Sequence, residues 1–430
     1  MRNAHRFPTL RAGLVTAPWI FGLLALAACG AAPTSTSSAP PGADAAPVET
    51  WARQFPALDR EIPRLLAVHK VAGAGVGILE GGELVWTGYY GEQGPGVPAS
   101  SRTVWNTASV AKSVTAEVLI ALASKGLLSL DEPIAGHFAH PDLSGDPRYA
   151  LLTPRLLLSH RAGLRNWPYE YPDNRPRFIA RPGTGFNYSG MGIEMAAQFA
   201  ENKLGEDFEV LARKYVFEPA GVTEMSLGRR QPWMAGRLAT PMDADGAYVE
   251  IEDAGGRLAD AGENGPWSGA DDLLTTVEAY AGFLVGVLEN RWATDGLAAE
   301  RRTLLTSLRD NEVWGCPSES GIQCASHFGH GLGWMVYAFP GKTVIKHGGN
   351  DFGENALAIY SPETGDGAVI WINGGNGILV STQILGLIGQ QPEIAAYYRR
   401  LVRQFYGVEL APPPPDGGGA GEPPPPSTPL

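Results

Sequence analysis

The sequence is short of basic residues and of cysteine, and each shortage excludes a class of function. The chain has 33 Lys and Arg against 45 Asp and Glu, a formal net charge of −12 at pH 7. Such an acidic protein repels phosphate backbones, and no basic cluster reverses the sign locally, so we expect no nucleic-acid partner. Its cysteines lack the spacing of a metal site, and His137 and His140 have no third ligand nearby. Gly73, Gly75 and Gly77 do not form the GxGxxG of a nucleotide loop. We therefore predict no metal and no cofactor.

Long apolar runs are also scarce. Only residues 12–28 form one, and this run follows three arginines and ends at Cys29. A basic start and a short apolar run predict an export signal rather than a core helix. Residues 26–29 (LAAC) resemble the lipobox of bacterial lipoproteins, whose cysteine is acylated and becomes the new N-terminus. The resemblance implies a signal peptide over residues 1–29 and a lipid anchor to the periplasm-facing cell envelope. An ordinary signal peptide with a chance cysteine is the alternative.

Composition divides the remainder of the chain. Residues 30–50 contain almost no large apolar side chain, which predicts a flexible tether, and the Pro- and Gly-rich residues 411–430 predict a disordered tail. Residues 51–410 are long enough for one large domain or two closely packed lobes. In an exported chain, the remaining pair of cysteines, Cys316 and Cys324, predicts a short-loop disulfide.

Hydrophobic periodicity predicts strands near both ends of this domain and helices between them. Residues 71–79 and 84–90 are typical of a β-hairpin, and a helix precedes them from about residue 50 to residue 69. The clearest later elements are helices over 113–125, 271–289 and 392–405, and strands over 331–337, 343–347, 355–360 and 367–372. We place Asp271 and Asp272 at the start of their helix. The pattern predicts an α+β fold, with a sheet lobe (51–98 and 328–410) and a mostly helical lobe (99–327).

Ser109 and Lys112 form an SxxK tetrad. On a helix the two side chains lie one turn apart on the same face, so the ammonium reaches the hydroxyl. Serine is a weak nucleophile without such a neighbour. The polar entry at residues 105–108 places Ser109 at a helix N-terminus, where free N–H groups favour an oxyanion.

Four segments carry a resemblance to the serine β-lactamase-related family, which includes class C β-lactamases, penicillin-binding proteins, esterases and D-aminopeptidases. They are residues 107–113 (TASVAKS), 126–133 (GLLSLDEP), 151–164 (LLTPRLLLSHRAGL) and 182–190 (PGTGFNYSG). The resemblance covers about residues 57–375. It implies the β-lactamase/DD-peptidase-like fold, in which terminal helices flank an antiparallel sheet and a mostly helical subdomain is inserted.

The resemblance assigns catalytic roles to three residues. Ser109 is the implied nucleophile, and Lys112 and Tyr188 are implied to act as its base. Which of the two takes the proton stays open, so we treat them as one coupled unit. We interpret His160, in the third segment, as structural.

A strand triplet that lines the site in the family has two candidate registers here, one starting at Lys346 and one at His347. The family also has a glycine six residues after the first member, and Gly353 fits only the His347 register. Strand alternation then turns Lys346 to the opposite face. In this register Gly349 leaves room for the substrate backbone. The N–H of Asn350 completes an oxyanion hole with that of the nucleophile.

Two departures from the family pattern concern specificity. The asparagine that binds the acylamide of a β-lactam is replaced by Gly190, and His347 replaces a permanent cation. Both changes favour an esterase or peptidase acting through an acyl-enzyme on a small-molecule or peptide substrate. The alternatives are a β-lactamase or DD-carboxypeptidase acting on cell-wall peptide, and a weakly active envelope binding or sensor protein. The sequence leaves the oligomeric state open.

Overall fold

A computed structural model of the protein describes residues 55–249, 265–309, 311, 314–316 and 321–412. The predicted signal peptide with Cys29, the tether over residues 30–50 and residues 413–430 of the predicted tail lie outside this part. Within it, no helix is both long enough and apolar enough to cross a membrane.

The secondary structure follows the predicted order, with strands near both ends of the described chain. The α-helices are α1 (Pro56–His69), α2 (Ala111–Ser124), α3 (Pro154–Leu158), α4 (Gly190–Leu204), α5 (Phe208–Ala212), α6 (Glu218–Ala220), α7 (Val277–Leu288), α8 (Asp295–Arg301), α9 (Gly377–Ile388) and α10 (Pro392–Tyr406). The strands are β1 (Gly73–Glu80), β2 (Glu83–Gly94), β3 (Val97–Pro98), β4 (Trp105–Asn106), β5 (Met225–Ser226), β6 (Leu274–Thr275), β7 (Thr306–Ser307), β8 (His327–His330), β9 (Met335–Phe339), β10 (Lys342–Asp351), β11 (Glu354–Tyr360) and β12 (Gly367–Asn373).

Most strands belong to one antiparallel sheet, which confirms the predicted α+β class. In the described residues its order is β3-β2-β1-β12-β11-β10-β9-β8-β7, so the N-terminal hairpin pairs with the last strand, β12. A small second sheet has the order β4-β6-β5. It joins the segment before Ser109 to a strand that is remote in sequence, and this pairing positions the nucleophile.

Side chains of the large sheet point alternately to its two faces, and helices pack on both faces. In β11, Leu357 and Ile359 pack with the cluster that α1, α9 and α10 contribute. Their neighbours Ala358 and Tyr360 pack on the other side, with α2, α4 and α7. Helix α2 is buried nearly all round, as expected for a helix at the centre of a core.

The first helix begins at Pro56 rather than near residue 50, and two later elements also differ from their predicted bounds. The helix predicted over 271–289 begins at Val277, because the Thr276 hydroxyl accepts a hydrogen bond from Ala279 N at 3.2 Å and caps it there. Asp271 and Asp272 therefore precede the helix. The strand predicted over 331–337 begins at Met335, since Gly331 to Trp334 form a turn closed by a backbone hydrogen bond of 2.9 Å.

Candidate active site

Ser109 lies in a single 3-10 turn, Ala108–Val110, that leads directly into α2. Hydrogen bonds fix the entry to this turn: Ala108 N donates to Asn106 Oδ1 at 3.0 Å, and Thr107 N donates at 2.9 Å to the carbonyl of Leu273, which directly precedes β6. Ala108 has a φ of 46°, a left-handed conformation that is costly for alanine. Such strain persists only where the surrounding structure holds it, and it is concentrated at functional sites.

The Lys112 side chain is completely buried and is directed at Ser109. Its Nζ donates to Ser109 Oγ at 2.7 Å and to the Ala270 carbonyl at 2.6 Å. The ring centres of Tyr188 and Trp167 lie 5.1 and 5.5 Å from the same nitrogen. Two hydrogen bonds and two rings hold the ammonium in one position. The SxxK spacing predicts one of these contacts, that of Lys112 Nζ with Ser109 Oγ.

Tyr188 is half-buried and is held in place by His160. The two rings are 4.4 Å apart, and His160 Nδ1 accepts a hydrogen bond from Ser189 N at 3.1 Å. Burial, with the nearby positive charge of Lys112, keeps the pKa of His160 well below its usual value, so its ring is neutral. His160 therefore positions the tyrosine.

Strand β10 brings His347, Gly349 and Asn350 to the nucleophile. The His347 side chain is 3% exposed, and its Nδ1 lies 2.8 Å from the Gly348 carbonyl. This contact places the proton on Nδ1 and leaves Nε2 as an acceptor. Burial, then the charge of Lys112, keeps the pKa of His347 well below its usual value. At neutral pH the site thus has an uncharged imidazole here.

Gly349 lines the cavity of the nucleophile, and its missing side chain also has a packing reason. A Cβ at this position would lie 2.1 Å from the Thr107 carbonyl oxygen, so the glycine makes room for the protein's own nucleophile segment. At Gly348 the nearest atoms to a Cβ would be at 3.6 and 3.8 Å. It is Gly348 that leaves open space at the site.

Ser109, Tyr188, Gly348 and Asn350 line one cavity of about 620 Å³. Its far wall comes from α9 and α10, with Ser381 and Tyr398 among the lining residues. Gly349 lines it as well, whereas Lys112 reaches it through its contact with Ser109 Oγ and His347 lines a neighbouring cavity. In the described part of the chain, no group of three His, Cys, Asp or Glu side chains has the arrangement of a metal site.

Two polar residues at this cavity were missed by the sequence analysis. Ser109 Oγ donates to Asp271 Oδ1 at 3.4 Å, although the two residues are 162 positions apart. Asn166 also lines the cavity, and its Oδ1 accepts the Gly190 N–H at 2.7 Å. No local pattern marks either contact. The family-like segments do not reveal these two contacts, because each contact depends on packing between segments that are distant in the sequence.

Gly190 has a packing reason of its own. A Cβ on this residue would lie 2.5 Å from the Trp167 ring, the same ring that covers Lys112. The space that a side chain would need is therefore filled by an aromatic group. An asparagine cannot be restored at position 190 without moving Trp167.

Cys316 and Cys324 form a disulfide, which is the predicted pairing, with their Cα atoms 5.8 Å apart. The segment that leads to Cys316 is attached to α10. Tyr397 Oη donates to the Trp314 carbonyl at 2.6 Å, and Arg400 Nη2 donates to the Gly315 carbonyl at 2.5 Å. Since Trp314 lines the cavity, the segment that leads to the disulfide contributes to its wall.

Comparisons with known proteins agree with this fold. A sequence model of the Beta-lactamase family matches residues 58–383. A β-lactamase of Pseudomonas fluorescens is 24% identical over 345 residues, which cover 74% of this chain and 92% of the relative. The octameric penicillin-binding protein homologue from Pyrococcus abyssi superposes with a TM-score of 0.63 at 20% identity, over 82% of each chain. The hydrolase EstCE1, described as having promiscuous acyltransferase activity, gives 0.62 at 17% identity over 80% of this chain and 98% of its own.

Proposed function

Because the chain belongs to the Beta-lactamase family and is a serine hydrolase of that group, we propose that it hydrolyses esters or amides through an acyl-enzyme on Ser109. One observation carries the proposal. Lys112 Nζ, completely buried, lies 2.7 Å from Ser109 Oγ at the wall of an open cavity. A serine hydroxyl in direct contact with a lysine, which can help to remove its proton, is the arrangement that nucleophilic catalysis requires.

In the proposed reaction, the coupled pair starts one proton short of full protonation, as the Lys112 amine beside the Tyr188 phenol or as the Lys112 ammonium beside the Tyr188 phenolate. Ser109 Oγ attacks the substrate carbonyl, and its proton passes to that pair. The direct contact makes Lys112 Nζ the shortest route for that proton. The pair returns it to the leaving alcohol or amine when the tetrahedral intermediate collapses. A water molecule then attacks the acyl group, gives its proton to the same pair and releases Ser109.

The negative charge of each tetrahedral intermediate needs two donors. We assign them to the backbone N–H groups of Ser109 and Asn350. The close approach of Gly349 to Thr107, where a Cβ would not fit, supports this assignment because it presses β10 against the nucleophile turn. Preorganised donors of this kind are typically worth about 3–4 kcal/mol each in transition-state stabilisation.

We propose that short activated esters are better substrates than β-lactams. A β-lactam presents an acylamide and a carboxylate that must lose water on entering the site. Gly190 has no side chain for the first group, and the neutral His347 offers no charge to the second. Each underpaired polar group costs about 1–3 kcal/mol, so the two together lower kcat/KM by about one to four orders of magnitude.

A second candidate, a β-lactamase or DD-carboxypeptidase acting on cell-wall peptide, is favoured by Asn166. This side chain lines the cavity of Ser109 and engages Gly190 N through its Oδ1. Its Nδ2 is an amide donor in the region where Gly190 has none. If Asn166 binds the acylamide of a β-lactam, this group is no longer underpaired and its free-energy cost disappears.

The test compares p-nitrophenyl acetate, nitrocefin and a D-amino-acid amide, each relative to its uncatalysed rate, with wild type, Ser109→Ala and Asn166→Ala. We expect the ester to be favoured and Ser109→Ala to be inactive on all three. A fluorophosphonate probe should modify Ser109 alone, as seen by peptide mass mapping. Modification of another serine would remove the central claim. Faster relative hydrolysis of nitrocefin, lost in Asn166→Ala, would establish the second candidate.

We also propose export and lipid anchoring through Cys29, supported by the arginines and apolar run that precede it. Radiolabelled palmitate should enter the wild-type protein expressed in a Gram-negative host and be absent from Cys29→Ser. Soluble, unlabelled wild-type protein would favour an ordinary signal peptide.

A further inference from the structure

A second cavity, of about 320 Å³, adjoins the first one. Tyr188, Gly348 and Trp314 line both, and the second cavity continues to Lys346 on the other face of β10. The connection exists because the pairing of β10 with β9 ends at Lys346 and Met335, while its pairing with β11 continues to Asp351. Beyond Lys346 one edge of the strand is open.

The walls of this second cavity are mainly aromatic. Phe186 and Tyr188 contribute from the Ser109 side, Tyr337 from β9, and Tyr397 and Tyr398 from α10. Aromatic rings around a space of this size suit an aryl group or a short alkyl chain. The cavity is thus an apolar extension of the site that holds the nucleophile.

Lys346 is the charged group in this apolar surrounding. Its side chain is 5% exposed, and its Nζ lies 5.0 Å from the ring centre of Tyr398 and 5.8 Å from that of Tyr337. Among the described residues, no carboxylate lies within ion-pair distance of it, whereas Lys342, four residues earlier, has Glu393 at 3.3 Å. Desolvation lowers the pKa of Lys346 to about 8, so the side chain is still charged in most molecules at pH 7.

A buried ammonium needs a counter-charge. Removing a charge from water costs free energy unless an opposite charge or strong hydrogen bonds replace the water. The faces of two tyrosine rings replace only part of the stabilisation that water gives to the ammonium. A carboxylate that enters with the ligand would supply the rest through charge-assisted hydrogen bonds. Its apolar portion would be enclosed by the rings, and its reactive bond would lie towards Ser109.

We propose that this cavity binds an arm of the substrate, an aryl or short alkyl group that ends in a carboxylate, and that Lys346 recognises the carboxylate. The inference rests on the proposed function, since it assigns a substrate class to the same site. It assigns anion recognition to Lys346 in the second cavity, which His347 also lines and Ser109 does not.

The experiment measures binding, so that it does not depend on turnover. Calorimetric titration of 3-phenylpropanoate and of 3-phenylpropanamide into full-length Ser109→Ala protein compares an acid with a neutral amide of the same shape. We expect the acid to bind at least about tenfold more tightly at pH 7. In Ser109→Ala/Lys346→Met the preference should vanish. In Ser109→Ala/Lys342→Met, which changes the paired lysine of the same strand, it should persist.

Equal affinities of acid and amide for the Ser109→Ala protein would overturn the proposal without any Lys346 variant, because they would mean that the chain already neutralises Lys346. A preference that survives in a folded Lys346→Met protein would overturn it too, since another cation would then bind the acid. Failure of the proposed function looks different: p-nitrophenyl acetate would not be hydrolysed by the wild type, whatever the titrations show.

Discussion

Two buried lysines near strand β10, Lys112 of α2 and Lys346 of the strand itself, have opposite surroundings. On the face of His347, Lys112 is held by Ser109 Oγ at 2.7 Å and by the Ala270 carbonyl at 2.6 Å. On the other face, Lys346 has tyrosine rings at 5.0 and 5.8 Å and no carboxylate partner among the described residues. Tyr188 touches both regions, because it lines both cavities.

The difference indicates two uses of the same functional group. A lysine whose hydrogen bonds are satisfied within the protein has a fixed position, which proton transfer demands. A buried lysine whose charge has no carboxylate partner can still attract the carboxylate of a ligand. We therefore assign chemistry to the first region and recognition to the second. Three experiments test that division, in order of decreasing effect.

The largest effect is expected for Lys112→Met, which keeps the packing volume but removes the proton acceptor. The kcat for p-nitrophenyl acetate should fall by about 10³-fold or more, since a positioned acid–base group contributes about 10²–10⁴. Lys125→Met, in an exposed position just after the same helix, is the control and should retain wild-type activity. If Lys112→Met kept a tenth of the wild-type activity, our assignment of proton transfer to Lys112 would be wrong.

An intermediate effect distinguishes the two adjacent glycines of β10. Gly349→Ala should lower the free energy of unfolding by about 3 kcal/mol, because its Cβ would meet the Thr107 carbonyl at 2.1 Å and the backbone there must move. Gly348→Ala has free space and should change stability by less than about 1 kcal/mol. Chemical denaturation measures both. Equal losses would show that the strand can shift and that its contact with the nucleophile turn is not tight.

The smallest effect concerns His330, which stacks on Phe186 at 4.9 Å between the two regions. Burial, and then the charge of Lys346, lowers the pKa of His330 to about 3. Unfolded histidine binds a proton below pH 6.5, which folded His330 cannot do until about pH 3, so stability falls as pH drops through this window.

Relative to His330→Gln, the wild type should lose about 1.4 kcal/mol of unfolding free energy per pH unit between pH 6 and pH 4. Denaturant titrations at several pH values give the two slopes. Taking the difference removes the contributions of other titrating groups. Parallel slopes would mean that His330 is protonated in the folded protein, and the region around Lys346 would be wetter than its burial indicates.

Several features of the site were accessible from the sequence because they depend on short-range geometry. The SxxK spacing places Lys112 one helical turn from Ser109 wherever the helix lies. Strand alternation predicts opposite faces for Lys346 and His347, since it depends only on the period of two, but both residues line the second cavity. The helix predicted over 271–289 failed because a capping hydroxyl at Thr276, rather than the charge of Asp271, sets where it begins.

The sequence by itself determined the α+β class, the family and the order of the elements, because periodicity and motif spacing act over a few residues. Only the tertiary structure decided that Asp271 reaches Ser109 across 162 positions, and that Trp167 occupies the space beside Gly190. It also decided that α10 closes a second cavity over Lys346. These contacts join segments far apart in the chain, and their distances depend on how the helices and the sheet pack. No local pattern encodes that packing.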